Sequence, residues 1–215
     1  MMTVPAAPSR DCPLCPRLVA FRHRWRQKEP DWQNAPVNSF GDLNTQVLIV
    51  GLAPGLRGAN RTGRPFTGDW AGDLLYATLI SRGFASGAYD RHGDDDLTLL
   101  DCRITNAVRC VPPENKPTTA ESKACLPFLS AEIAAMPNLK IILSLGGLSH
   151  GMVLSALGHK KSAFAFGHGR MHAVTDTLLL ANSYHCSRYN TNTGRLTADM
   201  FDLVFRKIRQ HLDAS

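Results

Sequence analysis

Four short apolar runs, at 47–50, 99–105, 140–145 and 178–183, alternate with longer segments of helical periodicity at about 70–83, 119–136, 147–157 and 197–212. No other feature of the chain narrows its fold so far. Short runs that are apolar on both sides suit strands buried between two layers, and strand–helix–strand order favours parallel pairing with helices on both faces. The expected fold is therefore α/β and three-layered, with a central four-stranded, mostly parallel sheet flanked by helices. Thr118, three residues before Glu121, fits a capping box at the start of the second helical segment. Pro127 is expected to break that segment into two pieces. Residues 83–96 read as a polar surface loop.

In open parallel sheets, ligands bind outside the carboxyl ends of the strands. The run at 47–50 feeds a glycine-rich loop, Gly51-Leu52-Ala53-Pro54-Gly55-Leu56-Arg57-Gly58-Ala59-Asn60-Arg61-Thr62-Gly63-Arg64-Pro65-Phe66-Thr67-Gly68-Asp69, which opens onto the helical segment from Trp70. Permissive backbone of this kind lets a ligand approach closely, and Phe66 offers a flat ring to a planar base. Asn106 closes the second run and His185 the fourth. Topology alone thus brings an aromatic face, an amide and an imidazole to one edge. Each has a plainer reading: a core phenylalanine, an asparagine bonded to its own strand end, a structural histidine. His150, His159, His168, His172 and His211 are read in that plainer way.

Six cysteines divide unequally. Cys12 and Cys15 form a C-x-x-C pair, and Cys110 and Cys125 flank a proline-rich loop at 111–117. Four thiolates make a metal site a better reading than disulfides in a chain without an export signal. Zinc and iron–sulfur both accept four cysteines; the wide spacing of the second pair tilts toward a cluster. Cys102 reads as a small core residue and Cys186 as a substitution rather than a fifth ligand.

The glycine-rich loop resembles the first motif of the family 5 (type b) uracil-DNA glycosylases. Asn106-Ala107-Val108-Arg109-Cys110 resembles the second motif, and His185 to Thr197 the third. The resemblance runs from about Cys12 to the C-terminal helix. It implies a [4Fe-4S] cluster on Cys12, Cys15, Cys110 and Cys125, and a pocket for an extruded uracil. Gly51, Leu52, Ala53, Phe66, Asn106 and His185 would bind the base, with Asn106 reading it and His185 stabilising charge on the departing base. Asn60 stands where many type-b members carry the aspartate that positions the water, so Asn60, Asn106 and His185 form the expected catalytic set. Asparagine cannot accept a proton, which points to a dissociative path in which water adds late. Asp69 is read as the cap of the following helix. Arg188 and Tyr189 would insert into the duplex or anchor its surface.

A formal net charge of +6 favours an anionic partner, and its placement matters more than its size. Arg57, Arg61 and Arg64 in the first motif, with Arg188, Tyr189 and Arg195 in the third, are the expected DNA contacts. Arg22, Arg24 and Arg26 form a further cluster beside the first cysteine pair. No apolar run approaches the roughly 20 residues that span a bilayer, and no signal peptide is evident, so a cytoplasmic location without membrane contact is expected. Residues 1–11 read as a flexible tail before a single domain at 12–215 that acts as a monomer. The expected partner is uracil-containing DNA, double- or single-stranded, and other deaminated bases such as hypoxanthine are candidate substrates. The alternative reading is an iron–sulfur nucleic-acid-binding protein of the same fold with little or no turnover.

Overall fold

The computed structural model describes residues 7–214. Residues 1–6 of the expected tail lie outside the described residues. The remainder of it is held in place, since Pro8 is buried and the Asp11 carboxylate pairs with Arg26.

The chain begins with α1 (Pro16–Lys28), followed by β1 (Val47–Gly51), a short α2 (Ala59–Thr62) and α3 (Trp70–Ser81). Next come the small strands β2 (Ala85–Ser86) and β3 (Thr98–Leu99), then β4 (Cys102–Asn106), α4 (Thr119–Ala134), β5 (Ile141–Leu145) and α5 (Gly147–Ala156). The C-terminal part holds β6 (Met171–Ala173), β7 (Leu179–Ser183), a short α6 (Arg188–Asn192) and α7 (Ala198–Asp213). The main sheet runs β4-β1-β5-β7-β6. Its first four strands are mutually parallel, and β6 adds a fifth, antiparallel, at the β7 edge. This corrects the four-stranded expectation. Met171-His172-Ala173 is too short and too exposed to leave an apolar signature.

Alternation along each strand builds two cores. Val47 and Ile49 face one layer, where they meet Leu75 and Leu79 of α3 and Phe201, Phe205 and Ile208 of α7. Leu48 and Val50 face the other, against Leu129 of α4 and Val153 and Leu154 of α5. A third, small cluster joins Leu18 of α1 to Val108 and Cys125.

The second apolar run is not one strand. Thr98–Leu99 pairs with Ala85–Ser86, and Asp101, in the left-handed region at φ 53°, turns the chain into β4. Its carboxylate receives both the backbone and side-chain N–H groups of Gln46. Residues 83–96 are correspondingly not all surface, for Phe84 is buried beside Phe205. The capping box at Thr118 forms as expected. Pro127, however, does not split α4. It sits on the exposed face, where the carbonyl it leaves unbonded, on exposed Lys123, reaches solvent.

Candidate active site

The carboxyl ends of β1, β4 and β7 open onto a cavity of about 510 Å³. Its wall includes Leu52, Ala53, Pro54 and Gly55 from the first motif, Phe66, Asn106 at the end of β4, and His185 two residues beyond β7. The three groups widely separated in sequence therefore surround one space. Gly51 does not line it but makes it possible. Gly51 pairs in register with Asn106, and a side chain there would strike the Asn106 Oδ1 and the Phe66 ring.

Phe66 is held in an unusual backbone conformation for a non-glycine residue, at φ 55°. Its neighbours fix it. The Tyr76 hydroxyl donates to the Pro65 carbonyl at 2.6 Å, and the Phe66 carbonyl lies where Gly72 lacks a side chain. The ring stacks on His185, with centroids 5.9 Å apart and planes inclined by 27°. Among the described residues neither the Asn106 amide nor the His185 imidazole hydrogen-bonds to another protein group. Asn106 is nevertheless buried, and buried polar side chains are ordinarily satisfied. Burial also pushes the His185 pKa down to about 4, so the ring is neutral near pH 7 and can still donate one hydrogen bond.

Asp69 supplies the carboxylate of the cavity wall. Its Oδ1 accepts the Gly72 N–H at 3.0 Å, capping α3 as expected. Burial raises its pKa, opposed by the N–H groups of Gly72 and Ala71. Asn60 is elsewhere. It is 1% exposed, absent from the cavity wall, and its amide donates to Asn34 Oδ1 at 2.8 Å. The structure thus separates Asn60 from Asn106 and His185.

Trp70, Asn115, Ser187 and Arg188 complete the rim. Sequence reasoning missed Trp70 and Asn115; an exposed tryptophan directly after a glycine-rich loop was the available signal. Trp70 is 47% exposed, with the Arg188 guanidinium 6.0 Å from its ring, and Tyr189 is 72% exposed. Arg57 and Arg195 are also exposed, and Arg61 lies beside His92. Arg64 departs from expectation. It forms a bidentate pair with Asp95 at 2.6 Å, packs under Phe40, Tyr76 and Tyr89, and is 13% exposed. It braces the loop rather than facing a ligand.

Cys12, Cys15, Cys110 and Cys125 line a second recess together with Leu14, Leu18, Val108 and Phe128. Among the described residues no three His, Cys, Asp or Glu side chains stand close enough together to hold a single metal ion. Cys102 and Cys186 are buried in the main core, away from this recess. Of the basic cluster on α1, Arg22 is buried, Arg26 is bound to Asp11 and to backbone carbonyls, and Arg24 is exposed. The two sites are joined through the second motif. The Arg109 backbone N–H lies 3.4 Å from Cys125 Sγ, and its guanidinium reaches Glu132 at 2.5 Å and Ser39.

A flat aromatic wall, an amide without a protein partner and a neutral imidazole thus share one cavity at the carboxyl ends of the parallel strands. Residues 38–209 match the family described as the uracil DNA glycosylase superfamily. The chain is 44% identical over 196 residues to a type-5 uracil-DNA glycosylase of Thermus thermophilus, covering 88% of this chain and 89% of that one. It is 39% identical to a type-5 enzyme of Mycobacterium bovis (93% and 77% covered) and 38% identical to one of Pyrobaculum aerophilum (92% and 87% covered). The chain belongs to the uracil DNA glycosylase superfamily, in its type-5 branch. No described helix is long and apolar enough to cross a membrane.

Proposed function

We propose that the protein hydrolyses the N-glycosidic bond of uracil in DNA and leaves an abasic site. The observation that carries this is the single cavity walled by Phe66, Asn106 and His185. A base must leave the duplex to enter it, and Phe66 offers a stacking face worth about 1–3 kcal/mol. The Asn106 amide accepts from uracil N3–H and donates to O4; cytosine presents a donor where uracil presents O4 and leaves the amide mismatched.

His185 acts as a neutral donor to the base oxygen on which charge accumulates as the bond breaks. A preformed donor is effective there because it needs no reorganisation as the charge develops. Asp69, rather than Asn60, is the group placed to orient the water that adds to the sugar, through the oxygen not engaged by the Gly72 N–H. Arg57, Arg188, Arg195 and Tyr189 are the exposed groups available to duplex or single-stranded DNA, while Arg64 is withheld. The cavity volume leaves room for a bicyclic base such as hypoxanthine.

Cys12, Cys15, Cys110 and Cys125 would hold a [4Fe-4S] cluster. The four thiols that line one recess, with the wide sequence spacing of the second pair, support that reading. When bound, it would tie the N-terminal segment to the 110–125 loop, which contributes Asn115 to the cavity rim.

The test is strand scission by alkali after incubation with duplexes carrying uracil or hypoxanthine, comparing the parent with an Asn106→Ala/His185→Ala variant. The parent is expected to act on both bases, and the variant to be slower by at least about 10³-fold. Equal activity of the two proteins would defeat the proposed roles, and parent activity on uracil alone would defeat the wider substrate range.

A further inference from the structure

The cysteine recess contains a cation that the rest of the fold leaves unexplained. Arg22 of α1 is 3% exposed and lines the recess with the four cysteines. Its Nη2 donates to the Cys12 carbonyl at 3.1 Å, and its Nη1 lies 3.9 Å from Cys110 Sγ. Its Nε is buried with no hydrogen-bond partner among the described residues. No carboxylate of the described residues pairs with it. The same helix shows the contrast, because Arg17 pairs with Glu121 and Arg26 with Asp11.

A guanidinium is always charged, and a charge withdrawn from water is strongly disfavoured unless an opposite charge or hydrogen-bond acceptors receive it. Arg22 is therefore mismatched with the protein groups around it. A tetrathiolate iron–sulfur centre would correct the mismatch, since four thiolates outweigh the charge of the metal–sulfide core and sulfur accepts hydrogen bonds. We propose that Arg22 is the internal counter-cation of the cluster, donating through Nε and Nη1 to its sulfur atoms and raising its reduction potential. This rests on the iron–sulfur reading given above. The Arg109 backbone N–H at Cys125 is a second donor to the same sulfur shell, but it carries no charge. Hydrogen bonds to sulfur and nearby charge are established means of setting such potentials.

The proposal is tested on the full chain with its cluster loaded. Arg22→Met keeps length and apolar bulk but removes the charge, while Arg22→Lys keeps charge and loses the fork of donors. With all four cysteines intact, both variants are expected to bind iron. At a fixed potential near the parent midpoint, the ratio of reduced to oxidised cluster should fall at least tenfold in Arg22→Met, a shift of about 59 mV for a one-electron couple. Arg22→Lys should recover part of it. A ratio unchanged within twofold in Arg22→Met overturns the proposal.

A second measurement needs no variant. In parent protein made with arginine labelled by ¹⁵N only in the guanidino group, pulsed EPR of the paramagnetic cluster should show coupling to ¹⁵N. Restricting the label excludes the Arg109 amide. No coupling overturns the proposal even if the methionine variant fails to fold. A parent that binds zinc, or no metal, overturns the iron–sulfur reading and this inference together; a loaded parent without the coupling overturns this inference alone.

Discussion

The cavity and the cysteine recess are both built around polar groups that the protein leaves unsatisfied, yet they differ in size and lining. The cavity, of about 510 Å³, carries Asn106 and His185 in its wall. The recess is walled by Leu14, Leu18, Val108 and Phe128, and its thiols suit a group installed once. A roomy cavity with polar walls suits a ligand that enters and leaves, whereas a small apolar recess suits a group that stays. The division is physical, because the cavity stands on strand ends of the main sheet, whereas the recess stands on α1, α4 and the loop before α4, in the small third cluster.

If that division holds, damage to each site should show in a different measurement. Cys125→Ala should abolish iron retention and lower stability by about 3 kcal/mol, moving Tm by roughly 6–12 °C for a chain of this size. Uracil release per folded molecule should change far less. An activity loss at 25 °C larger than the unfolded fraction explains would merge the two sites into one. Gly51→Ala should do the opposite. The added methyl meets Asn106 Oδ1 and the Phe66 ring, displacing both recognition groups. Activity should fall about a hundredfold, with iron content unchanged. Single-turnover kinetics and iron analysis on one preparation check both halves.

The same division explains how much of the molecule could be read from its residues. Buried strands announce themselves through apolar runs, so β1, β5 and β7 fell close to their expected limits, and Asn106 and His185 were placed by topology. β6 escaped because an edge strand of three partly exposed residues needs no apolar pattern. Helix α1 escaped because its apolar residues are interspersed with Arg17, Arg22, Arg24 and Arg26, and it buries only Leu18 and Arg22 fully. Asn60 and Arg64 share the polar loop with true cavity residues, and no local pattern tells an arginine facing solvent from one paired with Asp95. That pairing depends on residues 31 positions apart. Asp69 was legible as a cap, but its place in the cavity wall with Asn106 appears only once the loop has folded.

Asp69 gives a smaller and more discriminating test. Burial raises its carboxyl pKa above the ordinary value, so the ionised form is penalised in the folded protein at neutral pH. That penalty disappears as pH falls and the group protonates. Asp69→Asn removes the charge while asparagine still caps α3, so Tm at pH 7 should hold or rise slightly. Uracil release should fall about tenfold, modest for a lost carboxylate because a dissociative path asks little of a base. The parent's activity should decline on the acid side as Asp69 and His185, the latter near pH 4, take up protons. In Asp69→Asn only the His185 part should remain, which pH–rate profiles under single-turnover conditions would show. An acid limb identical in both proteins removes Asp69 from the reaction.

The smallest effect separates the arginines. Arg188 stands exposed over Trp70 at the cavity rim, whereas Arg64 is tied to Asp95, whose carboxyl it holds down at about 2. An exposed arginine that meets a phosphate should contribute about 1 kcal/mol at moderate salt, so Arg188→Ala should weaken binding to an abasic-site duplex about fivefold and flatten its salt dependence. Trp70→Ala should have a similar cost if the pair works as one platform, and the double variant should then lose less than the two single losses combined. Arg64→Met should leave the affinity of the folded fraction unchanged, since its guanidinium is already spoken for. Titrations at two salt concentrations would reverse these assignments if Arg64→Met, and not Arg188→Ala, reduced the salt slope.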